Sequence, residues 1–117
     1  MTKRSTEWQP EDVIGELLVI NEDTWGALER LGVTEQTLVR LHFDYAGDEE
    51  AGNAQLADYL QRETDYEVQV VEDGVTGSTQ PRTINLESLN EWVRWMVLAG
   101  HEHGGCKFDG WDSTVHS

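Results

Sequence analysis

Six residues near the C-terminus are of the types that bind metal ions or take part in catalysis. They lie within residues 101–112 and comprise His101, Glu102, His103, Cys106, Asp109 and Asp112. Zinc is bound by cysteine, histidine and carboxylate side chains, and a cysteine thiolate activated by a histidine is a common nucleophile. The segment therefore raises two hypotheses, a metal centre and a cysteine-dependent active site.

The spacing of these residues argues against a metal centre. His101 and His103 stand two positions apart at the end of a predicted helix, where side chains at that spacing point about 200° away from each other. The set His101, His103, Cys106 and Asp109 matches no established zinc pattern. Histidines in a last helical turn also interact favourably with the helix dipole. We therefore expect no metal site and no cofactor.

A cysteine-dependent activity would require a base near Cys106, such as His103 or His42, and a pocket that lowers the pKa of the thiol. The sequence contains no phosphate-binding loop, no dinucleotide-binding motif and no HExxH motif. No carboxylate pair has an apolar context that would separate two pKa values for acid–base chemistry. We expect no catalytic residue, and a metal- or cysteine-dependent enzyme stays the lesser alternative.

The charge of the chain points to the kind of partner it can have. The 23 Asp and Glu residues against 8 Lys and Arg give a net charge of -15. Such a surface repels phosphate backbones and anionic lipids, so we expect direct binding neither to nucleic acid nor to a membrane. It favours a basic protein partner, although an acidic surface also serves solubility alone.

Other features of the composition predict a folded cytoplasmic domain. Hydrophobic residues make up 38% of the chain and five residues are tryptophan, which is too apolar for a disordered acidic tail. A single cysteine cannot form an internal disulfide, and the N-terminus lacks the apolar core of a signal peptide. The length suits one domain, predicted over residues 10–117 after a loose N-terminus at residues 1–9.

Residues 10–32 are predicted to form a helical extension. Pro10 suits the first turn of a helix, and apolar residues follow at helical spacing. Asn21, a preferred cap residue, interrupts this pattern, and Gly32 closes it. The pattern predicts two short helices or one kinked helix.

The core predicted over residues 37–117 begins with a strand and a helix. Apolar and polar residues alternate from Val39 to Tyr45, which is typical of a strand with one buried face. The strand ends near Asp48, and Glu49 and Glu50 fall at the start of the next helix, where the dipole favours negative charge.

A hairpin, a helix and a last strand complete the prediction. Residues 66–70 alternate again, the stretch "DGVTGST" contains the turn, and a short strand follows at residues 81–84. Asn85 caps a helix with one apolar stripe, and residues 107–115 form the last strand. The order βαββαβ predicts an α+β fold of the ferredoxin-like, split βαβ type, with an antiparallel sheet and extra N-terminal helices.

Two tryptophan-containing features remain outside these patterns. In "FDGWDSTV", Gly110 permits a β-bulge or a positive φ, and Trp111 then returns its ring to one face of the sheet as a core residue. Trp95 and Leu98 lie outside the apolar stripe of the last helix, and we expect the N-terminal helices, which carry Trp25 and Leu28, to cover them. If those helices were mobile, the same patch would bind a protein.

Two segments resemble a known protein family. The sequence "LVRLHFDYAGDEEAGNAQLADYLQRETDYEVQV" resembles the first strand, acidic helix start and second strand of the regulator of ribonuclease activity B family, the ribonuclease E inhibitors. The ending "HGGCKFDGWDSTV" resembles the closing segment of that family, with the triplet Asp109-Gly110-Trp111 as its most specific part. The resemblance covers about residues 37 to 115. It implies a non-enzymatic protein that binds ribonuclease E, or a related nuclease complex, and lowers RNA cleavage.

We therefore expect a cytoplasmic regulator of RNA decay. The residues expected at its partner-binding surface are Asp48, Glu49, Glu50, Asp109, Gly110 and Trp111. An acidic immunity protein that neutralises a basic nuclease toxin is the alternative, because the same charge would serve both partners.

Overall fold

The computed structural model describes residues 8–116, so the loose N-terminus predicted for residues 1–9 lies largely outside the described residues. The helices and strands are α1 (Pro10–Arg30), β1 (Val39–Ala46), α2 (Glu50–Glu63), β2 (Glu67–Val71), β3 (Gly74–Ser78), α3 (Leu86–Glu102) and β4 (Lys107–Val115). Within this part of the chain, no helix has the length and apolar character needed to cross a membrane.

The four strands form one antiparallel sheet in the order β2-β3-β1-β4. The predicted α+β class with an antiparallel sheet is therefore confirmed. The connection through α2 links β1 to β2 around β3, and the connection through α3 links β3 to β4 around β1. Each helix thus spans one intervening strand.

Alternation along β1 separates the two faces of the sheet, as the sequence predicts. Leu41, Phe43 and Tyr45 are buried in the main core, whereas His42 and Asp44 point to the opposite face. The Tyr45 hydroxyl donates a 2.7 Å hydrogen bond to the carbonyl of Met96 in α3. The buried hydroxyl therefore has a hydrogen-bond partner.

The prediction for this region was two short helices or one kinked helix, and the structure has one continuous helix, α1. Asn21 was expected to be a cap, but it is fully buried in mid-helix. Its amide nitrogen donates to Asn90 Oδ1 at 2.9 Å, and its oxygen accepts from Trp111 Nε1 at 2.9 Å. Residues of α3 and β4 therefore supply the hydrogen bonds that the buried Asn21 side chain needs. The side chain does not cap a helix end, and α1 continues past residue 21.

Helix α1 packs against α3, the helix that carries Trp95. The Trp95 ring stacks on Tyr59 of α2 with centroids 6.1 Å apart, and it stays 37% exposed. Trp25 is buried in the main core, whereas Leu98 is partly buried against it. Trp95 therefore packs on α2 and keeps an exposed part, contrary to the predicted cover by the N-terminal helices, whereas cover of Leu98 by those helices stays a prediction.

The second strand of the hairpin lies earlier than the sequence suggested. β3 occupies Gly74–Ser78, within the stretch taken for a turn, whereas residues 81–84 contribute only an isolated bridge at Arg82. Gly77 is needed for packing, because an added Cβ would collide with the Glu67 carbonyl and approach the Phe43 ring to 2.6 Å. A glycine inside a strand was thus misinterpreted as a turn signal.

The predicted bulge in β4 is confirmed. Asp44 pairs with Gly110 and Tyr45 pairs with Phe108, so Asp109 is the extra residue, and Gly110 has a φ of 140°. Positions three apart in a regular strand face opposite sides, but the extra residue lets Phe108 and Trp111 both face the core.

The start of α2 lies in direct backbone contact with the loop before β4. A Cβ on Gly52 would approach the Gly104 carbonyl oxygen to 2.5 Å, and a Cβ on Gly104 would collide with the Gly52 carbonyl. Gly104 also has a φ of 108°, which disfavours other residues. This glycine contact fixes the position of the first turn of α2.

Candidate partner-binding surface

The two histidines at the end of α3 do not converge. The His103 ring stacks on Tyr59 with centroids 3.6 Å apart, whereas His101 lies edge-on to Trp8 at 5.0 Å. Among residues 8–116 there is no group of three or more His, Cys, Asp or Glu side chains placed to hold one metal ion. The two imidazoles thus serve as aromatic packing groups in different places.

The Cys106 thiol is enclosed in a neutral polar setting. Its Sγ lies 3.3 Å from Asn53 Oδ1 and 3.8 Å from the Gly52 carbonyl oxygen, and the residue is fully buried. Burial raises the pKa of the thiol to about 11. Because the thiolate is the nucleophilic form, this environment works against nucleophilic chemistry at neutral pH.

His42, the other candidate base, lies on the sheet face that the helices leave open. Its Nδ1 is hydrogen-bonded to Ser78 Oγ at 2.9 Å, and its Nε2 to Thr114 Oγ1 at 3.0 Å. The side chains of β1, β3 and β4 are thereby tied together across this face. The imidazole is engaged with hydroxyl groups and not with the Cys106 thiol.

Carboxylates form a ring at the end of the sheet where β1 meets α2. Asp48 and Glu50 lie there with Glu72 and Asp73 of the β2–β3 turn, around a pocket of about 190 Å³. We call these four residues the acidic rim. Glu49, the N-cap residue of α2, is exposed beside them and makes no side-chain capping hydrogen bond. The structure thus brings two predicted site residues together with two that were not predicted.

Backbone hydrogen bonds position the acidic rim. The Gly47 amide donates to the Asp73 carbonyl at 2.9 Å, which holds the hairpin turn against the end of β1. The buried Asn53 side chain donates to the Gly47 carbonyl at 3.2 Å, which ties α2 to the same point. The rim carboxylates are consequently not needed to hold the rim in place.

The charge of the rim is not neutralised locally. The two ion pairs found in residues 8–116 join Arg40 to Glu67 and Arg62 to Asp58. Neither pair includes a rim residue. Four carboxylates around one pocket therefore create a negative potential that attracts cations.

The Asp109-Gly110-Trp111 triplet is divided between solvent and core. Asp109 is exposed at the bulge, but it is not among the residues that line the rim pocket. Trp111 is half-buried, and its ring lies edge-on to Trp92 at 6.2 Å. Trp111 packs against the core as expected, whereas partner contact by Asp109, Gly110 and Trp111 stays a prediction.

Sequence reasoning missed Glu72 and Asp73 because the turn was placed too late in the hairpin. The signal was present in the adjacent acidic pair before Gly74, where Asp73 adopts a φ of 63°. It also missed that Val70 and Val71, next to the rim, are 42% and 40% exposed. The rim is thus bordered by apolar surface.

A second open groove lies along α3, beside the residues that follow α2. It has a volume of about 370 Å³ and is lined by Thr64, Tyr66, Arg82, Ser88, Glu91, Trp92 and Trp95. One cationic and one acidic side chain line it, so its charge does not favour a basic partner as the rim does. We therefore take the acidic rim as the candidate site.

No protein-family model matches this chain, and no curated protein matches it.

Proposed function

We propose that this chain is a non-enzymatic protein that binds a ribonuclease E-type endoribonuclease, inhibits it and so modulates RNA decay. The acidic rim is the observation that carries the proposal, because its carboxylates form no ion pair within residues 8–116 and are available to a basic partner. The choice of partner comes from the resemblance of residues 37–115 to ribonuclease E inhibitors. The strand order β2-β3-β1-β4 supports placing the domain among ferredoxin-like, split βαβ folds.

The proposed mechanism is occupation of an RNA-binding surface. A nuclease binds the phosphate backbone of RNA with lysine and arginine side chains. The net charge of -15 steers the chain to such a surface, and the rim carboxylates then pair with cations that RNA would otherwise contact. Inhibition follows from competition with RNA and needs no chemistry by the inhibitor, which would act in the cytoplasm.

The test is a cleavage assay with a purified ribonuclease E-type enzyme and a fluorescent single-stranded RNA. We compare the natural chain with a rim variant, Asp48→Asn, Glu50→Gln and Glu72→Gln. A matched control variant carries the same loss of charge on α1, at the exposed residues Glu11→Gln, Glu16→Gln and Glu29→Gln. The rim variant should require about tenfold more protein for half inhibition, and the control less than about threefold.

Salt provides the second arm of this test. Screening between exposed charges should weaken inhibition as salt rises from about 50 mM to about 500 mM. Equal inhibition by the rim and control variants would contradict a role for the rim. If this protein inhibits a basic nuclease toxin and does not inhibit the ribonuclease E-type enzyme, the proposed partner is wrong and an immunity function replaces it.

A further inference from the structure

Within residues 8–116, strand β2 forms a free edge of the sheet next to the acidic rim. Directly after β3, the Thr79 amide donates to the Leu41 carbonyl, so odd-numbered residues of β3 direct their backbone groups to β1. Even-numbered residues then face β2. By the register of the β2–β3 pair, Val68 and Val70 direct their amide and carbonyl groups away from the sheet.

One side chain partly occupies this free edge. Gln61 of α2 donates from its Nε2 to the Val68 carbonyl at 3.2 Å. Among the described residues, the outward amide and carbonyl of Val70 have no such partner. An exposed strand edge of this kind is able to pair with another extended segment, and the glutamine limits that pairing at one end.

The side chains beside the edge restrict which segment fits. Val70 and Val71 are 42% and 40% exposed, and both line the pocket of the acidic rim. An added strand would therefore meet apolar surface from valine and negative charge from the rim. The strand that complements both features carries apolar residues and lysine or arginine.

We infer that the free edge of β2 binds an extended basic segment of the partner protein as a fifth strand, with one cationic side chain at the acidic rim. Main-chain hydrogen bonds to Val68 and Val70 provide affinity, and the rim selects cationic residues. This inference rests on the proposed function and specifies how the partner is recognised. Gln61 is the group that the incoming strand displaces.

The experiment uses the full chain and a capped seven-residue peptide of alternating lysine and valine. Amide hydrogen exchange, followed by NMR, is the readout, because an added strand bonds the outward amides whereas charge attraction alone does not. Exchange at Val68 and Val70 should slow at least about tenfold at saturating peptide. Absence of binding, or binding without slower exchange at these two amides, overturns the inference.

Variants separate the contributions of edge and rim. Gln61→Ala should bind the peptide about threefold more tightly, because the competing donor is removed, while Gln55→Ala on the same helix should leave affinity unchanged. The rim variant should bind at least about tenfold more weakly, and the α1 control variant less than about threefold. Unchanged affinity in both Gln61→Ala and the rim variant counts against docking at this edge.

The peptide experiment contains no nuclease, so its outcome is independent of the cleavage assay. Protection of Val68 and Val70 without inhibition of the nuclease would leave edge docking in place and overturn the proposed partner. Inhibition of the nuclease without any protection of these amides would keep the proposed function and overturn edge docking.

Discussion

Two polar regions of this chain differ in what their polar groups bind. Where α1, α3 and β4 meet, the Asn21 side chain is hydrogen-bonded to both Asn90 and Trp111, and we call these three residues the closed corner. At the acidic rim, the carboxylates take part in neither ion pair of the described chain. Polar residues in the closed corner are committed to the fold, whereas those of the rim are available to a partner.

The largest effect should come from opening the closed corner with Asn21→Ala. This change leaves the Trp111 indole N–H and the Asn90 side-chain oxygen without their partner. We expect the free energy of unfolding to fall by about 3 kcal/mol, measured by urea denaturation. Glu22→Ala, at an exposed neighbouring position, is the control and should change it by less than about 0.5 kcal/mol. A small effect for Asn21→Ala would remove the contrast between the two regions.

The free energy of unfolding should depend on pH through Cys106, which lies against Asn53 of the rim pocket. The pKa of the thiol rises from its ordinary value of 9.0 to about 11 because it is buried. The unfolded state therefore loses its proton first as pH rises, so stability is complete below about pH 9 and falls toward about pH 11 by roughly 2–3 kcal/mol.

Denaturation of the natural chain and of Cys106→Ala at several pH values measures this loss. The comparison stays below about pH 10, because tyrosine begins to ionise there, and burial also raises the pKa of Tyr45. The difference between the two proteins should shrink as pH rises from about 8 to about 10. A constant difference would mean that the thiol is accessible to solvent.

Two glycine substitutions should change stability in opposite directions. Gly110 has a φ of 140°, so Gly110→Ala should cost about 1–2 kcal/mol through backbone strain at the bulge. Gly15 lies inside α1, and in the described chain no atom lies within 4 Å of an added Cβ. Gly15→Ala should therefore stabilise the protein by about 0.5–1 kcal/mol. Thermal unfolding of both variants decides whether the bulge requires glycine.

The smallest effect on folding should come from the rim variant. Neutralising Asp48, Glu50 and Glu72 relieves mutual repulsion but removes the favourable charge of Glu50 from the first turn of α2. We expect the free energy of unfolding to change by less than about 0.5 kcal/mol, although binding changes strongly. A loss of several kcal/mol in urea denaturation would place the rim with the closed corner as part of the fold.

The elements with strong periodicity were predictable from the sequence. Alternation along β1 and the apolar stripe of α3 follow directly from strand and helix geometry. Asn85 caps α3 as expected, and its side chain accepts a 2.8 Å hydrogen bond from the Ser88 amide. Cap preference alone does not identify the role of Asn21, because Asn21 continues the four-residue spacing of the buried Val13, Leu17 and Trp25.

The candidate site was predictable only in part. Asp48 and Glu50 are adjacent in sequence to a strand end and a helix start, which is a local signal. Glu72 and Asp73 join them through the pairing of β1 with β3, and that pairing is a tertiary contact which local propensity does not encode. The exposed β2 edge likewise depends on strand order.

The contact between Gly52 and Gly104 bears on how this surface can change during evolution or design. The contact holds the first turn of α2 through main-chain atoms. The position of Glu50 is therefore fixed by the backbone and not by its own side chain. The exposed positions of that turn, Glu50 and Ala51, can consequently be exchanged without rebuilding the scaffold, whereas Gly52 and the buried Asn53 cannot. The domain therefore separates a part that tolerates almost no substitution from a part whose binding preference can be rewritten one residue at a time.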